Sequence, residues 1–266
     1  MLRLNSLNIE RLVLRGLRMK FRFIFMVFGL CLLNTPVVNA KSLDWGLYDA
    51  LLKDHVASGV RHGTPLMTVD YLAIQKDPRF NQIVTQFEAF DISQLESKEE
   101  KLAFFINAYN VLAIKMVLDH WPVKSIRDIG NIFSPVWKKT VGKIANKPVS
   151  LDQVEHKILR PMGDPRIHVA IVCASVSCPD LSNTAYTASQ LDQQLDTQSV
   201  KFLNNPIKGL VLAGDEIRVS KIFDWFEEDF DIYGGVESFL SKYHSDLPKE
   251  SVVKANLDYD WSLNKP

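Results

Sequence analysis

Cysteine is scarce in this chain, with three in 266 residues, and none falls in a paired CxxC. There is no HExxH either, so the common zinc frameworks have no support. GxSxG, the P-loop and the dinucleotide fingerprint are also missing, which removes the motif-based cases for a serine hydrolase, a nucleotide hydrolase or a Rossmann dehydrogenase. No internal repeat and no low-complexity segment is visible, so a solenoid or a long linker is excluded. Net charge is missing as well: 31 basic residues balance 31 acidic ones. Residues 1–40 hold six of the bases and one of the acids, which leaves 25 bases against 30 acids in the rest. A mildly acidic body argues against a surface that tracks nucleic-acid phosphates.

What is present begins with a leader-like segment. From Met19 the sequence reads MKFRFIFMVFGLCLLNTPVVNAKS. Lys20 and Arg22 precede an apolar run from Phe23 to Leu33, Asn34 and Pro36 break it, and Val38 and Ala40 put small side chains at a cleavage position. That is the layout of a secretory signal peptide over 19–40, too short for a comfortable membrane span. Residues 1–18 then read as upstream sequence from a misplaced start. The expected mature protein is one globular domain, 41–266, periplasmic or secreted, with no stable membrane span after cleavage. Cys31 leaves with the signal, and Cys173 and Cys178 remain in an oxidising compartment.

The remainder reads as α+β. Helices are expected over 44–57, near 70–76 and over 79–89, with RHGTPLMTVDY a loop with a short extended piece between the first two. The strongest element is SKEEKLAFFINAYNVLAIKMVLDHW: Ser97 and Glu100 form a capping box, apolar residues follow helical spacing around most of the circumference, and Pro122 closes it. This central helix, about 97–120, is expected to pack on a mixed, mostly antiparallel sheet. PVWKKTVGKIANKPVSL suggests two short strands around a turn at Asn146 to Pro148, SLDQVEHKILRPMG a helix closed before Pro161, and RIHVAIVCAS a strand of β-branched residues. TASQLDQQLDTQSVKFLNN reads as a helix and GLVLAGDEIRVS as a hairpin turning at Gly214-Asp215. Short helices are expected over 221–229 and 235–243, and SVVKANLDYDWSLN is extended, then irregular.

Four separated patterns in this order, KLAFFINAYNVL, EHKILR, HVAIVCASVSCPDL and the terminal YDWSLN, resemble the domain-of-unknown-function 547 family over about residues 70–264. The matching positions are Asn107, Asn110, Glu155, His156, Arg160, His168, Cys173, Cys178, Pro179, Asp260 and Asn264. The resemblance implies a fold neighbourhood and names no reaction.

The chemistry of these residues leaves alternatives open. On an unbroken strand His168 and Cys173 would point to opposite faces, roughly 16 Å apart, so a base for Cys173 would come from elsewhere, such as His156 or His55. A turn through SVSCPD could bring Cys178 back to Cys173 as a disulfide, which would stabilise by about 3 kcal/mol at most; the other readings are two inert thiols or one activated thiolate. His156 and Arg160 share a helix face with Asp152 one turn earlier, either as a solvated ion-pair face or as part of a site. Asn107 and Asn110 inside an apolar helix must be hydrogen-bonded, as tethers to loops or as pocket walls. The acidic run DWFEEDFDIYGG fails the calcium-loop pattern, because Tyr233 and Leu240 stand where ligands are needed from Asp229, and it reads as a solvated helix end.

The catalytic candidates are therefore His168, Cys173, Cys178 and His156. Asn107, Asn110, Glu155, Arg160 and Asp260 are pocket candidates, and neither a metal nor a cofactor is implied. One functional expectation is an exported enzyme with a thiol/histidine cleft acting on a peptide-, amide- or thiol-containing substrate. The other is a non-catalytic periplasmic binding or scaffold domain with a Cys173–Cys178 disulfide. The helix-then-sheet order is similar to that of papain- and transglutaminase-like folds, which carry a cysteine at the central helix where this chain offers Asn107. An unknown small molecule or peptide is the expected partner.

Overall fold

The structure, a computed structural model, describes residues 43–248 and 251–266; the leader-like segment and the expected cleavage position fall outside them. In chain order the elements are α1 (Gly46–His55), β1 (Val56–Arg61), β2 (Thr64–Val69), α2 (Tyr71–Lys76), α3 (Pro78–Ala89), α4 (Lys98–Asp119), β3 (Thr140–Ile144), β4 (Lys147–Ser150), α5 (Leu151–Gln153), α6 (Leu191–Leu203), β5 (Leu210–Ala213), β6 (Glu216–Val219), α7 (Ile222–Trp225), α8 (Val236–Tyr243) and β7 (Val252–Lys254), with short 3-10 turns between them. The class is α+β with mostly antiparallel pairing. The strands form three small sheets, β1-β2, β3-β4 and β5-β6-β7, rather than one, and β6-β7 is the parallel pair.

The central helix α4 begins where its capping box requires. Ser97 Oγ accepts from the Glu100 N–H at 3.0 Å, and Glu100 Oε2 accepts from the Ser97 N–H at 2.9 Å, so two N–H groups that the helix cannot use are satisfied. Fifteen of its 22 residues are buried, and the apolar ones among them enter one core with Leu51, Ile83, Leu151, Leu159 and Ile171. By length and composition α4 could cross a membrane, but its most apolar stretch is 83% buried inside the protein, which is the environment of a core helix. A second core gathers Phe202, Phe223, Phe230, Phe239 and Tyr243, with aliphatic residues between them, around α6, α7 and α8.

Three local expectations differ from the structure. RHGTPLMTVDY forms most of the β1-β2 hairpin, more regular than a loop with one short extended piece; His62 and Gly63 both take positive φ, 49° and 81°, as a tight two-residue hairpin turn demands. The helix expected to close before Pro161 continues through Val154–Leu159 as a π-helix and ends in a 3-10 turn, Arg160–Met162, at Gly163 with φ 68°. RIHVAIVCAS is not a strand. Asp164 Oδ1 accepts from the Arg166 N–H at 3.1 Å and starts a 3-10 turn, Pro165–Val169. Beyond it, the Asn110 side chain takes the place of a neighbouring strand: its Nδ2 donates to Ala170 O at 3.0 Å, and its Oδ1 accepts from the Val172 N–H at 2.8 Å. Ala174 then adopts φ 61°, and the chain turns before any sheet register can form.

Candidate functional site

That turn brings the candidate residues together. With no strand to separate them, His168 and Cys173 line the same cavity, along with Cys178, Glu155 and His156, and the separation of roughly 16 Å expected across a strand does not apply. The cavity has a volume of about 160 Å³, and its other walls are largely aromatic: Tyr109 from α4, Trp137 before β3, Trp225 and Phe226 at the end of α7, and Tyr259 and Trp261 from the C-terminal segment. Trp261 joins three of these rings, with centroids 6.2 Å from Trp137, 5.7 Å from Trp225 and 4.5 Å from Tyr259.

The polar wall comes from one helical face. Asp152, Glu155 and His156 lie at i, i+3 and i+4, and the capping box of Ser150 and Gln153 fixes where that helix starts. Glu155 Oε2 accepts from the Tyr109 hydroxyl at 3.2 Å. Burial among the aromatic rings pushes the Glu155 pKa up to about 7, against that hydrogen bond and the attraction of Arg160. Tyr109 is itself raised well above 10 by burial, so its hydroxyl keeps its proton and remains the donor.

His168 is held from behind. Its Nε2 lies 2.7 Å from Asp229 Oδ2, and its ring stacks on Phe226 with centroids 4.0 Å apart and planes 17° from parallel. Arg160 clamps the same carboxylate with two hydrogen bonds, 2.6 Å from Nε to Oδ2 and 2.9 Å to Oδ1. Burial raises the Asp229 pKa, but the bonds from His168 and Arg160 outweigh it and hold the carboxyl well below its usual range. An ionised carboxylate only accepts, so His168 Nε2 carries the proton. Burial pushes the His168 pKa below its ordinary value despite Asp229. The neutral ring therefore has its lone pair on Nδ1.

His156 completes the string. Arg160 Nη1 donates to its Nδ1 at 3.1 Å, which also makes this imidazole neutral, and burial lowers its pKa in the same direction. His156 and Arg160 are thus bound into the cavity wall through Asp229, and are not a solvated ion-pair face.

Cys173 and Cys178 form a disulfide with Cα atoms 6.2 Å apart, inside the range such a bond needs. Cys178 Sγ accepts from the Cys173 N–H at 3.2 Å, the Ser175 hydroxyl at 3.1 Å and the Tyr259 hydroxyl at 3.4 Å. The Cys178 carbonyl takes a 2.7 Å bond from the buried Lys208, which also pairs with Asp180.

The remaining candidates lie elsewhere. Asn107 does not line the cavity; it holds Tyr186 through both backbone groups, at 2.8 and 2.9 Å. Asn110 shapes the cavity only by holding the 170–172 backbone. Asp260, expected in the pocket, faces His62 at 2.7 Å and caps the Ser262 N–H. Asn264 accepts from Tyr71, and His55, weighed as a base, pairs with Asp77. No group of three or more His, Cys, Asp or Glu suited to a metal occurs among the described residues. Sequence reasoning placed Asp229 in a solvated helix end, and none of the cavity aromatics was among its site candidates.

The fold and the site define an α+β domain with an aromatic-walled cavity that contains a raised carboxyl, an oriented neutral histidine and a disulfide. Residues 92–203 match the family model described as "Protein of unknown function, DUF547", and this segment of the chain belongs to that family. The matched segment is shorter than the 70–264 over which the resemblance was read. It holds Tyr109, Glu155, His168 and both cysteines, whereas Asp229, Phe226, Tyr259 and Trp261 lie beyond it. No curated protein and no solved structure matches the chain.

Proposed function

We propose that the cavity is the active site of an enzyme that moves protons on a small peptide- or amide-containing substrate, with Glu155 as the acid and His168 as the base. One observation carries this reading: two ionisable groups facing one cavity have pKa values pushed in opposite directions, Glu155 up to about 7 and His168 down. Opposed shifts of this kind separate acid from base at neutral pH. His168 offers its Nδ1 lone pair to a substrate or water proton, and Asp229 stabilises the imidazolium that results. Water whose proton passes to His168 adds to the amide carbon, the C–N bond breaks, and Glu155 delivers its proton to the leaving nitrogen; Tyr109 keeps a hydrogen bond to the carboxylate left behind. Cys173 is not the nucleophile in this scheme, because its thiol is committed to the disulfide.

The leader-like segment at 19–40 and the disulfide both support an exported, periplasmic or secreted protein. The joined cysteines and the fully bonded Asn107 and Asn110 favour a second reading, a non-catalytic binding domain that uses the same cavity.

The test is turnover of a panel of aminoacyl amides and short peptides, with products read by mass spectrometry between pH 4 and 9. The enzyme reading expects at least one substrate to be converted, with activity falling as Glu155 deprotonates near pH 7, and that falling limb to vanish in Glu155→Gln together with most of the rate. Saturable binding of panel members with no product from any of them would decide for the binding domain.

A further inference from the structure

The disulfide is built unsymmetrically, and its asymmetry faces the cavity. Cys178 is 2% exposed, and its sulfur collects a backbone N–H and the hydroxyls of Ser175 and Tyr259. Cys173 is half-buried, and among the described residues no backbone donor reaches its sulfur; its polar contacts there are the same two hydroxyls, at 3.4 and 3.6 Å. A thiolate that leaves on the Cys178 side would therefore be born among fixed donors, while the sulfur within reach of an incoming group is that of Cys173. Donors aimed at a charge that develops during reaction stabilise the transition state more than the ground state.

We propose that Cys173–Cys178 is a reactive disulfide that exchanges with small thiols carrying an amino group. A thiolate RS⁻ attacks Cys173 Sγ, the Cys173–Cys178 bond breaks, and its electron pair leaves on Cys178. The products are the mixed disulfide Cys173–S–SR and the Cys178 thiolate. A second RS⁻ attacks the RS sulfur of that mixed disulfide, which releases RSSR and the Cys173 thiolate. Two thiolates are oxidised by two electrons in all, and the protein disulfide is the oxidant. This activity goes beyond the acid–base reading and does not rest on it.

The amino group follows from the walls. Asp152 puts a carboxyl group on the cavity, whereas His156 and His168 are neutral and the Arg160 charge is taken by Asp229. Indole and phenol faces favour a cation over an anion. A volume of about 160 Å³ admits a thiol of a few heavy atoms or a single thiol-bearing side chain.

The experiment treats the native protein, purified without reductant, with cysteamine, 2-mercaptoethanol or 2-mercaptoethanesulfonate. Samples are quenched in acid, alkylated with N-ethylmaleimide and mapped by mass spectrometry. The proposal expects the adduct on Cys173 and the alkyl label on Cys178, at a rate about tenfold above that of the urea-unfolded protein. After correction for thiolate fraction, cysteamine should react fastest and the sulfonate slowest. Tyr259→Phe keeps the ring and removes one donor, and should slow exchange about tenfold; Ser175→Ala provides the same check if that variant fails to fold. An adduct on Cys178, a native rate no faster than the unfolded one, or unchanged rates in both variants would overturn the leaving-group assignment. Equal corrected rates for the three thiols would overturn the aminothiol preference. Exchange is read by adduct mass and amide turnover by product, so either activity can fail without the other.

Discussion

Among the described residues two histidine–aspartate pairs stand at 2.7 Å, His168–Asp229 in the cavity wall and His62–Asp260 at the β1-β2 turn. Their chemistry is the same and their surroundings are not. The His168 side chain is 1% exposed and Asp229 21%, against 55% and 33% for His62 and Asp260. Around Asp229, Arg160 and the Phe226 ring fix the carboxylate and the imidazole in one geometry. At the turn the Asp260 side chain is reached by His62 and Ser262, and both members of the pair are open to solvent. A short histidine–carboxylate distance thus says little by itself; what gives one pair an oriented lone pair to offer is the dry wall behind it.

The contrast breaks most severely at the carboxylates. Asp229→Ala leaves the Arg160 guanidinium and the His168 Nε2–H without their partner in a half-dry site, and should cost about 3–5 kcal/mol. Asp260→Ala removes an exposed pair and one cap, and should cost about 1 kcal/mol or less. Urea titrations of the two variants compare these losses directly, and similar values would mean that the cavity wall adds nothing to the pair. In the wild type the Asp229 contribution has a definite sign with pH: its folded pKa is depressed, so the stability is present above the unfolded value near 3.9 and is lost as pH falls through the folded one.

Glu155 sharpens the same comparison from the opposite side. Its folded pKa is raised to about 7 from an ordinary 4.5, so the folded state binds the proton more tightly than the unfolded chain. Stability should then fall as pH rises from about 4.5 to about 7, and stay level above that. Glu155→Gln, which keeps the shape and cannot ionise, should match the wild type at pH 4 and exceed it by about 2 kcal/mol at pH 8, with allowance for the partial exposure of the carboxyl. Thermal melts across that range read the gap, and parallel curves would place the Glu155 pKa near its ordinary value.

How much of this was legible depends on how far apart the partners lie in sequence. The α4 helix was readable because its signals are local: a Ser97/Glu100 box, then apolar residues at helical spacing. The β3-β4 and β5-β6 hairpins were readable for the same reason. The apolar run 167–174 misled because β-branched residues suit a strand, while the partner that takes its backbone hydrogen bonds is the side chain of Asn110, some 60 residues earlier. Asp229 was hidden inside an acidic run; nothing in its neighbourhood shows that one of five acids turns inward to His168 and Arg160, 61 and 69 residues away. The cavity aromatics were hidden because a Trp or Tyr that lines a pocket and one that fills a core look alike in sequence. The individual residues Glu155, His156, His168, Cys173 and Cys178 could be picked out, but their convergence could not.

The smallest effect is expected at His62. His62→Ala removes a side chain that is more than half exposed, and the pair it breaks sits in water, so stability should change by no more than about 0.5 kcal/mol. The local reading is more sensitive than the global one. Burial raises the Asp260 pKa, but the hydrogen bonds from His62 and Ser262 outweigh it and keep the carboxyl low. Without His62 its titration, followed by carboxyl carbon NMR, should move up toward the ordinary range while the melting curve barely shifts. A loss above about 1.5 kcal/mol would mean that the turn pair is coupled to the fold as tightly as an interior one, and exposure would then no longer separate His62–Asp260 from His168–Asp229.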